Sequence, residues 1–214
     1  MTSNKTVDIV GKVLEESKKL DRKFKENIDV VFNLKNIDLN IPKNRVDEEI
    51  ILPHGRGKEA KVAIFASGQL AVNSKKHVDL LIKPEEIEDL SGDKKKFKKL
   101  VDNHDFFLAE APLMPTIGKS LGTVLGPRGK MPKPVPPQAD VSGMVKNLRK
   151  TIKVRSKSNK TFHTTAGNVD MSKEHISENI NAIMKRVEAA LERGKMNIGS
   201  VYVKTTMGPA ERVI

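Results

Sequence analysis

The sequence predicts two folded units of different class. A split α+β domain is formed by both ends of the chain, residues 1–58 and 155–214, and is interrupted by an α/β domain with a parallel sheet, residues 59–154. Three observations predict this. The middle of the chain alternates short, nearly continuous apolar runs with helical stretches, the pattern of βαβ units whose strands are covered on both faces. The ends instead carry strands of alternating polarity and amphipathic helices. Neither end alone is long enough for a stable core in a chain of 214 residues, whereas together they supply about 118. The chain would cross between domains twice, near 58–60 and near 154–156, as a double hinge.

Taken in order, Val10, Val13, Leu14 and the stretch Ser17 to Leu20 show helical spacing, which predicts a first helix over about 4–20. Ile28, Val30, Phe32 and Leu34 alternate with Asp29, Val31, Asn33 and Lys35, the period of a half-buried strand. Asp38 to Arg45 reads as a loop around Pro42, and Glu49 to Leu52 as a second strand broken by Pro53-His54-Gly55-Arg56-Gly57. Lys61 to Ala66, Val78 to Ile82 and Phe106 to Ala109 are the apolar strands of the middle domain. Helices are predicted between them near 69–77, 84–90 and 93–103. Residues 112–138 are rich in Pro and Gly, which predicts short helical pieces at most. A helix follows over 140–152. Ile152 to Arg155 and Thr161 to Thr164 read as a hairpin around Ser156 to Lys160. Ser172 caps a long helix to about Leu191, with Ile176, Ile180, Ile183, Val187 and Leu191 on one face. Gly194 is read as its stop, and Gly199 to Thr205 as the last strand.

The chain is basic: 39 Lys+Arg against 27 Asp+Glu give a net charge of +12. The charge is uneven. Between Glu110 and Asp170 the only acid is Asp140, while eleven bases stand there: Lys119, Arg128, Lys130, Lys133, Lys146, Arg149, Lys150, Lys153, Arg155, Lys157 and Lys160. Ten of the twelve net units lie in that stretch, and such a block attracts nucleic acid through counterion release. The run Lys94-Lys95-Lys96-Phe97-Lys98-Lys99 follows Glu85, Glu86, Glu88, Asp89 and Asp93. It reads as a compensated, solvated helix face.

The sequence also excludes much. With no cysteine there is no disulfide scaffold, thiolate metal site or cysteine nucleophile. Aromatic residues are 4% of the chain, little material for stacking single-stranded bases. The five histidines form no H-x-x-x-H pair, so no metal is expected. No cofactor is expected either. Gly55-Arg56-Gly57-Lys58-Glu59-Ala60 matches G-x-G-x-x-A, but it precedes a strand rather than following one. Gly118-Lys119-Ser120 resembles a P-loop tail, but Leu113 stands where the first glycine belongs. No G-x-S-x-G elbow occurs. No apolar run approaches the ~18 residues of a membrane span. The expected setting is cytoplasmic, with no membrane partner. A nucleotide-dependent enzyme using the middle domain and a sequence-specific DNA binder remain as alternatives. The first lacks its phosphate loop and the second lacks a helix-turn-helix or basic zipper.

Two segments offer more specific chemistry. Gly126-Pro127-Arg128-Gly129-Lys130-Met131-Pro132 predicts a loop of fixed course from which Arg128 and Lys130 project as phosphate contacts. Lys204-Thr205-Thr206-Met207-Gly208-Pro209 ends a strand in two hydroxyls, an adaptable Met and a bare glycine backbone. Such groups can bond phosphates and ribose 2′-hydroxyls.

At these segments the sequence resembles the archaeal-type ribosomal protein one family, the stalk proteins of the large subunit. The resemblance is carried by Arg22-Lys23-Phe24-Lys25-Glu26-Asn27, by Leu52 to Lys58, by Ile117 to Pro132 and by Ser200 to Pro209. It implies a split α+β RNA-binding domain interrupted by a Rossmann-like α/β domain. It implies a non-enzymatic protein, monomeric when free and ribosome-associated in the cytoplasm. Its partners would be stalk ribosomal RNA, transfer RNA leaving the exit site, and the protein's own messenger RNA as a target of translational repression. By motif position the RNA face would comprise Phe24, Glu26, Asn27, His163, Ser200, Thr205, Thr206, Met207 and Gly208. Lys23, Lys157 and Lys160 would supply long-range attraction, and Arg128 and Lys130 a secondary contact.

Overall fold

A computed structural model describes residues 2–19 and 23–214. Leu20, expected to end the first helix, and Arg22, in the first motif, lie outside the described residues. The chain divides into two compact units, Met1–Glu59 with Lys150–Ile214, and Ala60–Arg149.

The first end supplies helix α1 (Thr2–Lys19), strand β1 (Asn27–Leu34), a 3₁₀ turn at Pro42–Asn44 and strand β2 (Asp47–Ile51). In β1 the period of two is kept throughout. Ile28, Val30, Phe32 and Leu34 are buried, while Asp29, Val31 and Asn33 are half-exposed.

The middle unit runs β3 (Val62–Phe65), α2 (Gly68–Ser74), β4 (Leu80–Ile82), α3 (Pro84–Gly92), α4 (Lys94–Asn103), β5 (Phe106–Glu110), α5 (Met114–Arg128), β6 (Lys133–Val135) and α6 (Val141–Arg149). The strands form a parallel sheet in the order β4-β3-β5-β6. β3 and β5 are buried along their whole length, as their continuous apolar runs require. One face packs against α3, α4 and α5 through Ile87, Phe97, Ile117 and Leu121. The other packs against α2 and α6 through Leu70, Val141, Val145 and Leu148.

Two expectations are corrected here. The Gly/Pro-rich stretch after β5 is a fifteen-residue helix, α5. Ile117, Leu121, Val124 and Leu125 recur at helical spacing and are all buried, so packing overrides the weak propensity of three glycines. Pro127 falls in the last turn, and Gly129 ends the helix at φ +66°. β6 is a short strand that a Lys-Pro-Val sequence does not announce.

The second end supplies β7 (Thr151–Arg155), β8 (Thr161–Asn168), α7 (Lys173–Ala190), a 3₁₀ turn at Gly194–Asn197, β9 (Ile198–Thr205) and β10 (Ala210–Arg212). β7 and β8 do not form the predicted hairpin. β7 pairs antiparallel with β2, and β8 with β1. This places Thr151–Arg155 in the discontinuous unit, so the second crossing lies at 149/150 rather than near 154–156. The reason is pairing over a long sequence separation, which local pattern does not encode. α7 ends at Ala190, and Gly194 opens the following 3₁₀ turn rather than stopping the helix.

In the discontinuous unit the main sheet has the order β10-β9-β1-β8, antiparallel throughout. Its inner face packs under α7, whose Ile176, Ile180, Ile183 and Val187 are wholly buried. Phe32 stacks on Phe162 across β1 and β8, with ring centroids 5.3 Å apart. Ser172 Oγ caps α7 by accepting from His175 N.

Candidate nucleic-acid interface

The pleat that turns Ile28, Val30 and Phe32 inward turns the odd-numbered residues of β1 outward. The antiparallel register then fixes three rows on the outer face. Asn33 lies opposite Thr161 and Ser200, Val31 opposite His163 and Tyr202, and Asp29 opposite Thr165 and Lys204. Two of these rows are tied together by side chains. Thr161 Oγ1 donates to Asn33 Oδ1 at 2.8 Å, and Asn33 Nδ2 donates to Ser200 Oγ at 2.9 Å. Thr165 Oγ1 donates to Asp29 Oδ1 at 2.9 Å. These bonds hold short polar groups at fixed positions, with little rotamer freedom left to lose on binding.

One end of this face is closed by the chain after β9. Thr206 N donates to Asn27 O at 3.0 Å, and Thr206 Oγ1 accepts from Asn27 N at 3.1 Å. The next residue, Met207, is 57% exposed, and Phe24, three positions before Asn27, is 53% exposed. Both are large apolar side chains left exposed close in sequence to the Asn27–Thr206 pair. Gly208 N donates to Thr205 Oγ1 at 3.0 Å. A Cβ on Gly208 would overlap that hydroxyl, so only glycine allows the turn to close here. We expect Gly208→Ala to lower stability by about 1–2 kcal/mol through loss of this bond and shift of the turn. RNA affinity should fall with it, and thermal melting beside an RNA titration checks both.

The structure sorts the expected site residues into groups. Asn27, His163, Ser200 and Thr206 share the outer face, with Phe24, Met207 and Gly208 at the Asn27 end. Lys160 is exposed one residue before Thr161, at the opposite end, and Lys157 is exposed in the turn before it. Lys23 is exposed next to Phe24. Two residues do not belong to the face. Glu26 is 1% exposed and accepts from Ser17 Oγ at 2.8 Å; Thr205 is wholly buried. Both have the parity of the inner face. Thr205 acts by shaping the Thr206–Gly208 turn. Asp29, Asn33, Thr161, Thr165, Tyr202 and Lys204 are on the outer face and were not expected there. The alternation of β1 and β9 was the signal for most of them.

Arg128 and Lys130 are both engaged by the protein itself. Arg128 Nε donates to Asp102 Oδ1 at 2.9 Å, which holds the Asp102 carboxyl below its usual range. Lys130 Nζ donates to Val101 O and His104 O, both at 2.7 Å. Burial draws its ammonium below the ordinary lysine value. The basic block is also paired in space by acids distant in sequence. Arg149 meets Asp79, Lys153 meets Glu49 and Asp47, and Arg155 meets Asp47. The free charge of the block is therefore well below its formal value, and Lys157 and Lys160 stand out as exposed cations next to the outer face.

The middle unit offers little to a nucleotide. In a parallel sheet, ligands sit beyond the strand ends where the order reverses, here between β3 and β5. At that point Ser67 N and Oγ both donate to Glu110 Oε2, at 2.9 and 2.7 Å. A fixed carboxylate occupies the donors that a phosphate would need. Among the described residues no group of His, Asp and Glu could hold a metal ion, and no helix is long and apolar enough to cross a membrane.

Comparison with known proteins shows similarity along nearly the whole chain. Residues 13–209 match the model of the ribosomal protein L1p/L10e family. The large ribosomal subunit protein uL1 of Methanocella arvoryzae is 56% identical over all of both chains. That of Thermoplasma volcanium is 49% identical over 97% of this chain and 96% of its own. That of Methanosarcina mazei is 47% identical over the whole length of both. These relatives are ribosomal proteins rather than enzymes, and their identity extends across both units. The chain belongs to the ribosomal protein L1p/L10e family.

Proposed function

We propose that the outer face of β8, β1 and β9 binds a structured stalk segment of large-subunit ribosomal RNA, as a component of the cytoplasmic ribosome. One observation carries the reading: three cross-strand rows that present hydroxyl, amide, imidazole and carboxylate groups, two of them tied by side-chain hydrogen bonds, with exposed lysines at the ends. Structured RNA presents 2′-hydroxyls and base edges in a shallow minor groove, and a fixed polar surface reads these by shape and hydrogen bonding. Phosphates are engaged by the lysines, which position the RNA without reading it. Asp29 accepts from hydroxyls and amines and repels phosphate, so it favours a register with the backbone off the centre of the face. Two finer roles follow from the resemblance at the motifs: assisting release of deacylated transfer RNA from the exit site, and repression through a similar structure in the protein's own messenger RNA.

The test is titration of the full chain with the stalk RNA segment and with its all-deoxy counterpart. Tight binding of the first and at least tenfold weaker binding of the second is expected; equal affinities would refute readout of 2′-hydroxyls. Lys157→Ala should lower affinity and reduce the log–log salt slope by about one. An unchanged slope would remove Lys157 from the phosphate contacts. Lys157 sits at φ +50°, a conformation that Ala shares at equal strain, so the comparison isolates the charge.

A further inference from the structure

The sequence reads helix α4 as a compensated face, but among the described residues its lysines are not paired. Lys94, Lys95, Lys96, Lys98 and Lys99 are all exposed, and among the described residues none forms an ion pair. Lys98 acts by its charge alone on Asp102, whose carboxylate is already held by Arg128. Phe97 and Val101 are buried and Leu100 packs beside them. The helical period therefore points Lys95, Lys98 and Lys99 away from the unit. We propose that this lysine face is a second nucleic-acid contact, binding the phosphate backbone of structured RNA from the middle unit. The choice of RNA as the polyanion rests on the proposed function; the unpartnered cationic face does not.

The arrangement works against the helix and is braced against that cost. Three lysines occupy the first turn, where the macrodipole is already positive and cations are disfavoured. Asp93 offsets this by accepting from Lys95 N and Lys96 N, at 3.1 and 3.0 Å. At the other end Lys130 caps the carbonyls of Val101 and His104, and Arg128 holds Asp102. The Gly126–Pro132 motif thus clamps the lysine helix. Five mutually repelling cations on a clamped helix have no ion-pair partner among the described residues, only Asp93 at one end and Asp102 at the other. A phosphate backbone supplies partners for them along a line.

The test uses the full chain and an RNA duplex of arbitrary sequence, about 20 base pairs long, to isolate phosphate contacts. The triple variant Lys95→Gln, Lys98→Gln, Lys99→Gln is made alone and together with Met207→Asp, which disables the sheet face. Gln keeps helix propensity, and a melting curve confirms the fold. Expected is a tenfold or greater loss of duplex affinity in both backgrounds, with the salt slope reduced by about 2–3. Unchanged affinity and slope in the triple variant would overturn the proposal. So would tighter binding of a polyglutamate peptide than of the duplex, since that marks an acidic protein partner. If Met207→Asp leaves stalk RNA binding intact, the sheet-face reading fails while the duplex result still decides α4.

Discussion

Met207→Asp is expected to abolish specific binding of the stalk RNA while the protein stays folded. Met207 is 57% exposed, so its replacement should change stability by no more than about 0.5 kcal/mol. In the bound state the new carboxylate would face phosphate oxygens at the closed end of the sheet. Like charges brought together at an interface cost several kcal/mol, and about 3 kcal/mol is already more than a hundredfold in affinity. Thr206→Val probes the same end with a smaller change. It removes the hydroxyl that accepts from Asn27 N and keeps the shape of the side chain. Asn27 N is at an exposed position, so water replaces the lost partner in the free protein. Circular dichroism beside an RNA titration separates the effects. Wild-type affinity in either variant would remove the Thr206–Gly208 turn from the interface.

Asn179→Ala is expected to produce the largest loss of stability. Asn179 is wholly buried in α7. Its Nδ2 donates to Gly55 O at 2.7 Å and to Ala166 O at 2.8 Å, and its Oδ1 accepts from His54 N at 3.2 Å. One amide thus ties the Leu52–Lys58 motif to both α7 and β8. Truncation strands two buried acceptors and a donor, each worth about 1–3 kcal/mol when left unmade. A loss of about 3–5 kcal/mol is a large fraction of ordinary domain stability. The urea midpoint should fall accordingly. A change within 1 kcal/mol would show that water takes the place of the amide.

The same motif shows where the sequence was readable and where it was not. Leu52 to Lys58 breaks a strand, as its Pro and Gly residues indicate, and Gly55 and Gly57 do adopt φ +67° and +77°. What it binds is visible only in three dimensions: Asn179 lies 124 residues away from Gly55, and Asn168 reaches Gly57 O over a separation of 111. β1 and α7 were legible because their apolar periods are long and unbroken. α5 was not, because glycines and Pro127 outweigh four well-spaced apolar residues in any local reading. β7 was placed with the wrong partner because adjacency in sequence favours a hairpin, while β2 offered the pairing that was made.

For the site, the motif residues around Thr206 were legible, and the alternation already set their neighbours. Applied to residue 26, the period of β1 places Glu26 with Ile28 on the inner face and leaves Asp29 as the outward carboxylate. The charge count was the weaker guide. A stretch nearly free of acids in sequence meets Asp47, Glu49, Asp79 and Asp102 in space. Net charge along the chain therefore located neither the polar sheet face nor the unpaired lysines of α4.

The proposed role of the polar sheet face is to read large-subunit ribosomal RNA. Ultraviolet crosslinking of the protein to cellular RNA, with sequencing of the RNA and mapping of the crosslinked peptides, tests it most directly. One dominant footprint in large-subunit ribosomal RNA is expected, with crosslinks at Phe24, His163, Tyr202 and Met207. Crosslinked peptides that lack all of β1, β8, β9 and the Thr206–Gly208 turn, or a footprint scattered over unrelated RNAs, would contradict it.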